Sequence, residues 1–343
     1  MHVREWDPQS AAAADVEAWR CLINDLLKTD LPDEPAWRPD LLREYLAVNL
    51  PEERRLMWFA EQEDNPGSQS DGDRVLGAAS LLLAGGEAGV LNVLVRPDAR
   101  RNRIAQSLLT AAAWRANAEH VRILTVEVIA GTGAAKFYEA CGFERTLVEV
   151  RHRLCLEDVD WPRTEQIAGR LATGYRVEHF PGGLPEELLE PYARAKLMLR
   201  ELPGADLHTD QMVRIEANRL RASLITLQRR GLRAYVVLVI HEQTEQIAGL
   251  TELVVPAHRP ERADQYDTLV VPAHRGYGLG LAMKARMLLA LRDVESQVVD
   301  VVTWQTTEME QMARVNSELG FTPDREWYEY ETDVASLLSR LSR

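Results

Sequence analysis

The chain of 343 residues is 46% hydrophobic and 27% charged, long enough for two domains and apolar enough to fill a core in each without staples. Its formal net charge of −13 repels phosphate backbones and excludes a nucleic-acid binder held by lysine and arginine. The same charge keeps a protein soluble and raises the local concentration of cationic substrates such as amines.

The first residues, Met1 to Asp7, carry neither a basic segment nor an apolar stretch, so no signal peptide is expected. The periodicity predicts helices over 11–27 and 41–48 and strands over 56–60 and 75–83. Between those strands, 61–74 is polar, with Asn65-Pro66-Gly67 and Asp71-Gly72, and reads as a long hairpin loop. A strand over 90–95, an alanine-rich helix over 104–118, an apolar strand over 123–129 and a helix over 134–140 complete the first half. Asp158, Asp160, Pro162 and Gly174 then interrupt any periodicity, which places a linker at 157–174 between domains 1–156 and 175–343.

The second half repeats the order. Strands are predicted near 175–178 and over 233–240, 246–255, 267–271 and 298–304, with helices over 185–199, 209–228, 279–291 and 309–318 and a short one at 334–341. The longest strong apolar run is 234–240, far short of the ~18 residues a membrane helix needs. Cys21, Cys141 and Cys155 form no CxxC pair, so no disulfide or zinc framework is supported and no metal is expected. A reducing cytoplasm, with no membrane partner, fits these features.

Two landmarks recur at nearly one offset, about half the chain. Val93-Leu94-Val95-Arg96-Pro97-Asp98-Ala99-Arg100 corresponds to Leu269-Val270-Val271-Pro272-Ala273-His274-Arg275, and Cys141-Gly142-Phe143 to Leu319-Gly320-Phe321. Such a repeat points to duplication. The strongest chemical signal follows the second proline: Arg275-Gly276-Tyr277-Gly278-Leu279-Gly280, between a strand and a helix. Glycines there allow a tight turn that converges several N–H groups, and the helix adds its N-terminal dipole; together they suit a pyrophosphate. Glycine spacing alone would also suit a dinucleotide fold, but that fold puts its loop after the first strand of a parallel unit, not after a third or later one.

At these residues the chain resembles the GNAT superfamily of CoA-dependent N-acetyltransferases, over both halves. Its second half, with Gln265-Tyr266-Asp267-Thr268 and Asn316-Ser317-Glu318-Leu319-Gly320-Phe321, is similar to tandem members related to mycothiol synthase. The resemblance implies an α+β fold: two tandem domains, each a twisted mixed sheet, mostly antiparallel, flanked by helices and with two central strands splayed apart. Acetyl-CoA, as cosubstrate, would lie in that split. Leu269, Val270 and Val271 would hold its pantetheine, and Arg275, Gly276, Tyr277, Gly278, Leu279, Gly280 and Leu281 its pyrophosphate.

Amine acetylation needs a base for the ammonium proton and an acid for the leaving thiolate. The family places the base on the strand before the CoA strand, which points to Glu252, and the acid on a tyrosine four residues before the Gly-Phe pair. That tyrosine is Tyr138 in the first half, whereas the second half has Asn316, with Tyr328 or Tyr330 as substitutes. The first half has Arg103 in place of Gly278, among Arg100, Arg101 and Arg103, and no carboxylate in Val75 to Leu83. It is either a weaker CoA site or an idle half that packs on the second. His208 and its acidic turn could receive an amine or simply be solvated. The expected function is transfer of acetyl from acetyl-CoA to the amine of a small molecule by direct attack, in a monomer or homodimer. The alternative is a non-catalytic acyl-CoA-binding or assembly module.

Overall fold

Runs of β-branched and aliphatic residues need partners for their backbone N–H and C=O groups as well as cover for their side chains, and pair into sheets. The computed structural model describes residues 1–50, 52–62, 74–197, 217–306 and 308–342. It divides into two compact units: Met1–Leu147 with Trp327–Arg343, and Val148–Glu326.

In the first unit β1 (His2–Trp6), β2 (Arg54–Glu61), β3 (Val75–Leu83) and β4 (Ala88–Val95) form an antiparallel ladder. β5 (Ile123–Ile129) joins β4 in parallel, through only three residue pairs, Ala88↔Ile123, Gly89↔Leu124 and Val90↔Thr125. Beyond Val90 the two strands run on unpaired, so a split opens between them. The other edge of β5 pairs antiparallel with Trp327–Asp333, from the chain's last strand (Thr322–Asp333). α1 (Ala13–Asp30) and α2 (Leu42–Ala47) cover one face, where Trp19, Leu22, Leu42 and Leu46 pack with Trp6, Met57 and Phe59. On the other face α3 (Ile104–Ala118), α4 (Gly133–Cys141) and the terminal helix Val334–Leu341 bury Leu108, Leu109, Tyr138 and Leu337 against Leu81, Leu91, Val126 and Val128.

The second unit repeats this plan. Its strands lie in the order β6 (Glu144–Cys155, from Val148 onward), β11 (Asp300–Thr306), β10 (Arg262–Val270), β9 (Gln246–Pro256), β8 (Leu232–His241) and β7 (Tyr175–Pro181). β7 to β10 are antiparallel. β10 and β11 are parallel and again share three pairs, Arg262↔Asp300, Ala263↔Val301 and Asp264↔Val302, before splitting. α6 (Glu186–Leu197) and α7 (Ala217–Arg229) lie on one face, where Tyr192 and Ala195 meet Val236, Leu238 and Leu250. α5 (Trp161–Gly169), α8 (Leu279–Val294) and α9 (Glu310–Glu318) lie about the other, with a core of Val237, Leu253, Met283, Leu288 and Val301.

Both units are therefore mixed, mostly antiparallel sheets flanked by helices, the α+β architecture expected. Three features differ from the sequence reading. β1 carries no apolar alternation of its own, being a five-residue edge strand, His-Val-Arg-Glu-Trp, that pairs with β2. The expected linker 157–174 holds α5, whose Thr164, Ile167 and Ala168 are buried. Asp160, read as a breaker, caps it by accepting from the Arg163 N–H, and Pro162 stands in its first turn. The units also do not divide at that segment, because β6 ends in the second unit and the last strand ends in the first. Residues 63–73 of the hairpin loop expected over 61–74 and the acidic turn with His208 lie outside the described residues, as does the start of the helix predicted over 209–228.

Candidate functional site

β10 ends at Val270, one short turn of 3-10 helix spans Pro272–His274, and α8 starts at Leu279. Gly276 (φ 89°) and Gly278 (φ 72°) are both left-handed, the region that only glycine enters without strain. No atom lies within 4 Å of where a Cβ at either would stand. The room above the loop is open, as a bound pyrophosphate would require. Gly278 is the N-cap of α8 and no side chain caps the helix, which leaves its first N–H groups available. Arg275 donates from Nε to the Val270 carbonyl at 3.2 Å and ties the loop to the strand end. Beside it the Tyr175 hydroxyl meets His274 Nδ1 at 2.9 Å, and the exposed Tyr277 ring lies 5.7 Å from Tyr175.

The first unit builds the same turn from other residues. Arg101 (φ 65°) and Arg103 (φ 59°) hold the left-handed positions of Gly276 and Gly278. Arg100 reaches back from Nε to the Val95 carbonyl at 3.4 Å, as Arg275 does, and its guanidinium also pairs with Asp30. Arginine in place of glycine has not changed the path of the backbone. It has added exposed side chains at Arg101 and Arg103, at a backbone cost of about 1–2 kcal/mol each.

Beside the second unit's split, β10 carries a bulge: Gln265 pairs with Leu253 and Thr268 with Thr251, leaving Tyr266 and Asp267 opposite Glu252. Glu252 points to the face covered by α6. Its Oε1 accepts from the Tyr192 hydroxyl and its Oε2 from Lys196 Nζ at 2.7 Å. Lys196 Nζ also lies 2.6 Å from Asp267 Oδ2. Burial, reinforced by Asp267, pushes the Glu252 carboxyl above the ordinary carboxylate range although Lys196 opposes the shift. Burial would raise Asp267 too, but Lys196 outweighs it and holds that carboxyl low. Burial works against the Lys196 ammonium, yet the two carboxylates raise it, so it stays charged. Around them the Thr251 and Thr268 hydroxyls lie 2.7 Å apart, and Gln265 Nε2 donates to Thr251 Oγ1 at 2.9 Å.

The sequence singled out Glu252 but missed its partners. Tyr192 and Lys196 stand four residues apart on α6, the spacing that puts two side chains on one helix face, and that was the available signal. Asp267 was hidden by the bulge, which no alternation reveals.

On the opposite face, Asn316 of α9 is fully buried and stands where Tyr138 stands in the first unit. Its Nδ2 donates to Gln305 Oε1 at 2.8 Å, and its Oδ1 accepts from Lys284 Nζ at 2.7 Å. Tyr138 itself is buried among Phe137 and Phe143, with ring centroids 5.2 and 5.0 Å away, and burial raises its hydroxyl well above the ordinary phenol range. Tyr328 and Tyr330, considered as substitute acids for the second half, belong to the first unit. There the Tyr330 hydroxyl donates to Glu139 at 2.8 Å, and Arg145 lies over the Tyr328 ring. Among the described residues no group of three or more histidine, cysteine, aspartate or glutamate side chains could hold a metal ion, and no helix is long and apolar enough to cross a membrane.

Residues 53–145 match the family model described as an acetyltransferase (GNAT) domain. That stretch lies in the first half, the one whose turn carries arginines. No curated protein matches the chain. Among solved structures it is similar to a tandem GNAT protein from the clavulanic acid biosynthesis pathway, at 24% identity and TM-score 0.78 over 97% of this chain and 98% of that one. It is also similar to a GCN5-related N-acetyltransferase from Sphaerobacter thermophilus, at 15% identity and TM-score 0.64 over 97% and 95% of the two chains. A third likeness, at 13% identity and TM-score 0.66, is to a GCN5-related glucosamine N-acetyltransferase region in a fungal multi-domain GH3 β-N-acetylglucosaminidase, covering 96% of this chain and 38% of that one. Residues 53–145 thus match a GNAT acetyltransferase domain, and the fold along nearly the whole chain is similar to that of the tandem GNAT protein.

Proposed function

We propose that this protein is an acyl-CoA-dependent N-acetyltransferase that moves an acetyl group from acetyl-CoA to the amine of a small molecule by direct attack. We place the transfer in the second unit. Acyl-CoA-dependent acetyl transfer is the general chemistry of the GNAT family; the amine acceptor and the unit are our reading. The observation that carries it is the convergence of an open glycine loop, a split beginning after Asp264 and Val302, and the carboxylate Glu252 beside the bulge. Acetyl-CoA fits these residues. The N–H groups from Arg275 to Leu281 would hold the pyrophosphate, and the unpaired edge of Leu269, Val270 and Val271 the pantetheine. The thioester would supply the acyl group.

Glu252 would take the ammonium proton. Both its carboxyl oxygens are bonded, to Tyr192 and Lys196, so the acceptor amine or a water must displace one donor, and the Tyr192 hydroxyl is the neutral one. The raised position of the Glu252 carboxyl suits a base working near neutral pH. A free-thiol assay with acetyl-CoA and a panel of small amines tests the reading. Amine-dependent CoA release is expected; CoA binding with no release for any amine would instead support a binding or assembly module.

A second reading has its own support. The family model matches the first half, and the first unit keeps the split, Tyr138 and the left-handed turn at Arg101 and Arg103. Under this reading the arginine side chains grip the phosphates, and Glu127 of β5, past the last β4–β5 pair and alternating with buried Val126 and Val128, is a candidate base. Electron density for CoA in one unit or both decides between them.

A further inference from the structure

Equivalent positions of the two units differ in one coordinated way. The first unit buries Leu109, Val128 and Tyr138 in a single apolar cluster with Phe143. By the same loop, strand and Gly-Phe landmarks, the second unit has Lys284, Gln305 and Asn316 at those places, beside Phe321. Lys284 Nζ lies 4.9 Å from the Phe321 ring centre, and the Tyr138 ring lies 5.0 Å from that of Phe143. The lysine nitrogen thus stands against the second unit's phenylalanine much as the tyrosine ring stands against the first's. Three polar side chains have replaced three apolar or aromatic ones in a core, and burying them carries a desolvation cost that packing does not require.

From this exchange we infer that Lys284, held by Asn316 and Gln305, supplies the proton to the CoA thiolate in the second unit, the task for which that unit has no tyrosine. The inference rests on the proposed acetyl transfer in this unit. Lys284 lies on α8, five residues past its start at the glycine loop, and its chain of hydrogen bonds ends at Gln305 on β11, beyond the last β10–β11 pair. Glu252 lies on the α6 face and Lys284 on the α8 face, so base and acid flank the split from opposite sides, as an incoming amine and a departing sulfur require. When the C–N bond forms and the C–S bond breaks, the amine's proton passes to Glu252. The electron pair left on sulfur takes a proton from the Lys284 ammonium: an N–H bond breaks and an S–H bond forms. Glu252 then returns its proton to solvent and neutral Lys284 recovers one, which closes the cycle.

No carboxylate faces Lys284 among the described residues, and burial lowers its ammonium to about 7. His152 of β6 is a titratable neighbour, itself lowered by burial. An acid near 7 gives its proton downhill to a thiolate of ordinary basicity, about 8.5.

The test uses the full chain and three proteins: wild type, Lys284→Met, and a triple variant Lys284→Leu/Gln305→Val/Asn316→Tyr that installs the first unit's set. CoA affinity is read by calorimetry, kcat across pH 5–10, and the lysine titration by carbon NMR of labelled protein without CoA. The expectation is a 10²–10³-fold loss of kcat in Lys284→Met, CoA affinity within threefold, disappearance of a resonance titrating near 7, and partial recovery in the triple variant with its alkaline limb moved toward the range of tyrosine. If wild type binds no CoA in the second unit, the proposed function and this inference fall together. If CoA binds and acetyl is transferred while Lys284→Met keeps its kcat and pH profile, the inference alone is overturned. A Lys284 resonance that titrates like a free lysine also overturns it.

Discussion

Replacing Gly278 by arginine separates the cost of the loop's shape from the cost of occupying the ligand's space. At φ 72° a side chain costs about 1–2 kcal/mol of backbone strain. No clash adds to this, since nothing lies within 4 Å of the new Cβ. The first unit already carries an arginine in this turn, Arg103 at φ 59°. Gly278→Arg should therefore lower stability by only about 1–2 kcal/mol, and the reciprocal Arg103→Gly should raise it by a similar amount. CoA binding should suffer more. A side chain over the first N–H groups of α8 removes a charge-assisted hydrogen bond of about 1.5–3 kcal/mol, roughly a ten- to two-hundredfold loss. Urea denaturation measures the first quantity and titration calorimetry with CoA the second. Unchanged CoA affinity in a folded Gly278→Arg protein would refute the assignment of this loop to the pyrophosphate.

Glu252→Gln keeps the shape and removes the basicity, so turnover should fall 10²–10⁴-fold while CoA affinity is retained; an unaltered rate at saturating amine would move the base elsewhere. Tyr192→Phe removes a donor that stabilises the Glu252 anion, so the acidic limb of the rate profile should move to higher pH, and an unmoved limb would place Glu252 outside the rate-limiting proton transfer. Lys284 has a folded value near 7, below its unfolded value of about 10.4. Its cost to stability is therefore full below pH 7 and fades as pH rises toward 10, so Lys284→Met should be more stable than wild type at pH 6, with a gap that closes by pH 10 in denaturation curves. In the first unit, Tyr138→Phe loses only a hydroxyl. A clear drop in turnover, with Glu252→Gln still active, would shift catalysis to that unit.

Most of the fold was legible because each half carries long apolar runs of one period, and because the Val-x-Pro-x-x-Arg string recurs. The glycine loop was legible for a local reason: positive φ demands glycine, and Gly276 and Gly278 supply it. The same logic misled at Arg103, where an identical turn is held by a residue that the rule disfavours. The Glu252 cluster was half legible, since a lone charge in an apolar strand stands out, whereas Lys196 and Asp267 acquire meaning only when α6 and the β10 bulge bring the lysine within 2.7 Å of both carboxylates. Lys284 reads in sequence as an ordinary helix lysine; its burial follows from packing alone.

The exchange of end strands between the units bears on how the protein is made. Chain leaves the ribosome from its N-terminus, yet the far edge of β5 pairs with Trp327–Asp333, which is synthesised after the whole of Val148–Glu326. Until then the first unit holds an open strand edge next to its buried core, a surface prone to sticking to other chains. Val148–Glu326, by contrast, lies wholly before Trp327 in the chain and can close before that strand is synthesised. The half that is translated first is therefore the half that finishes folding last.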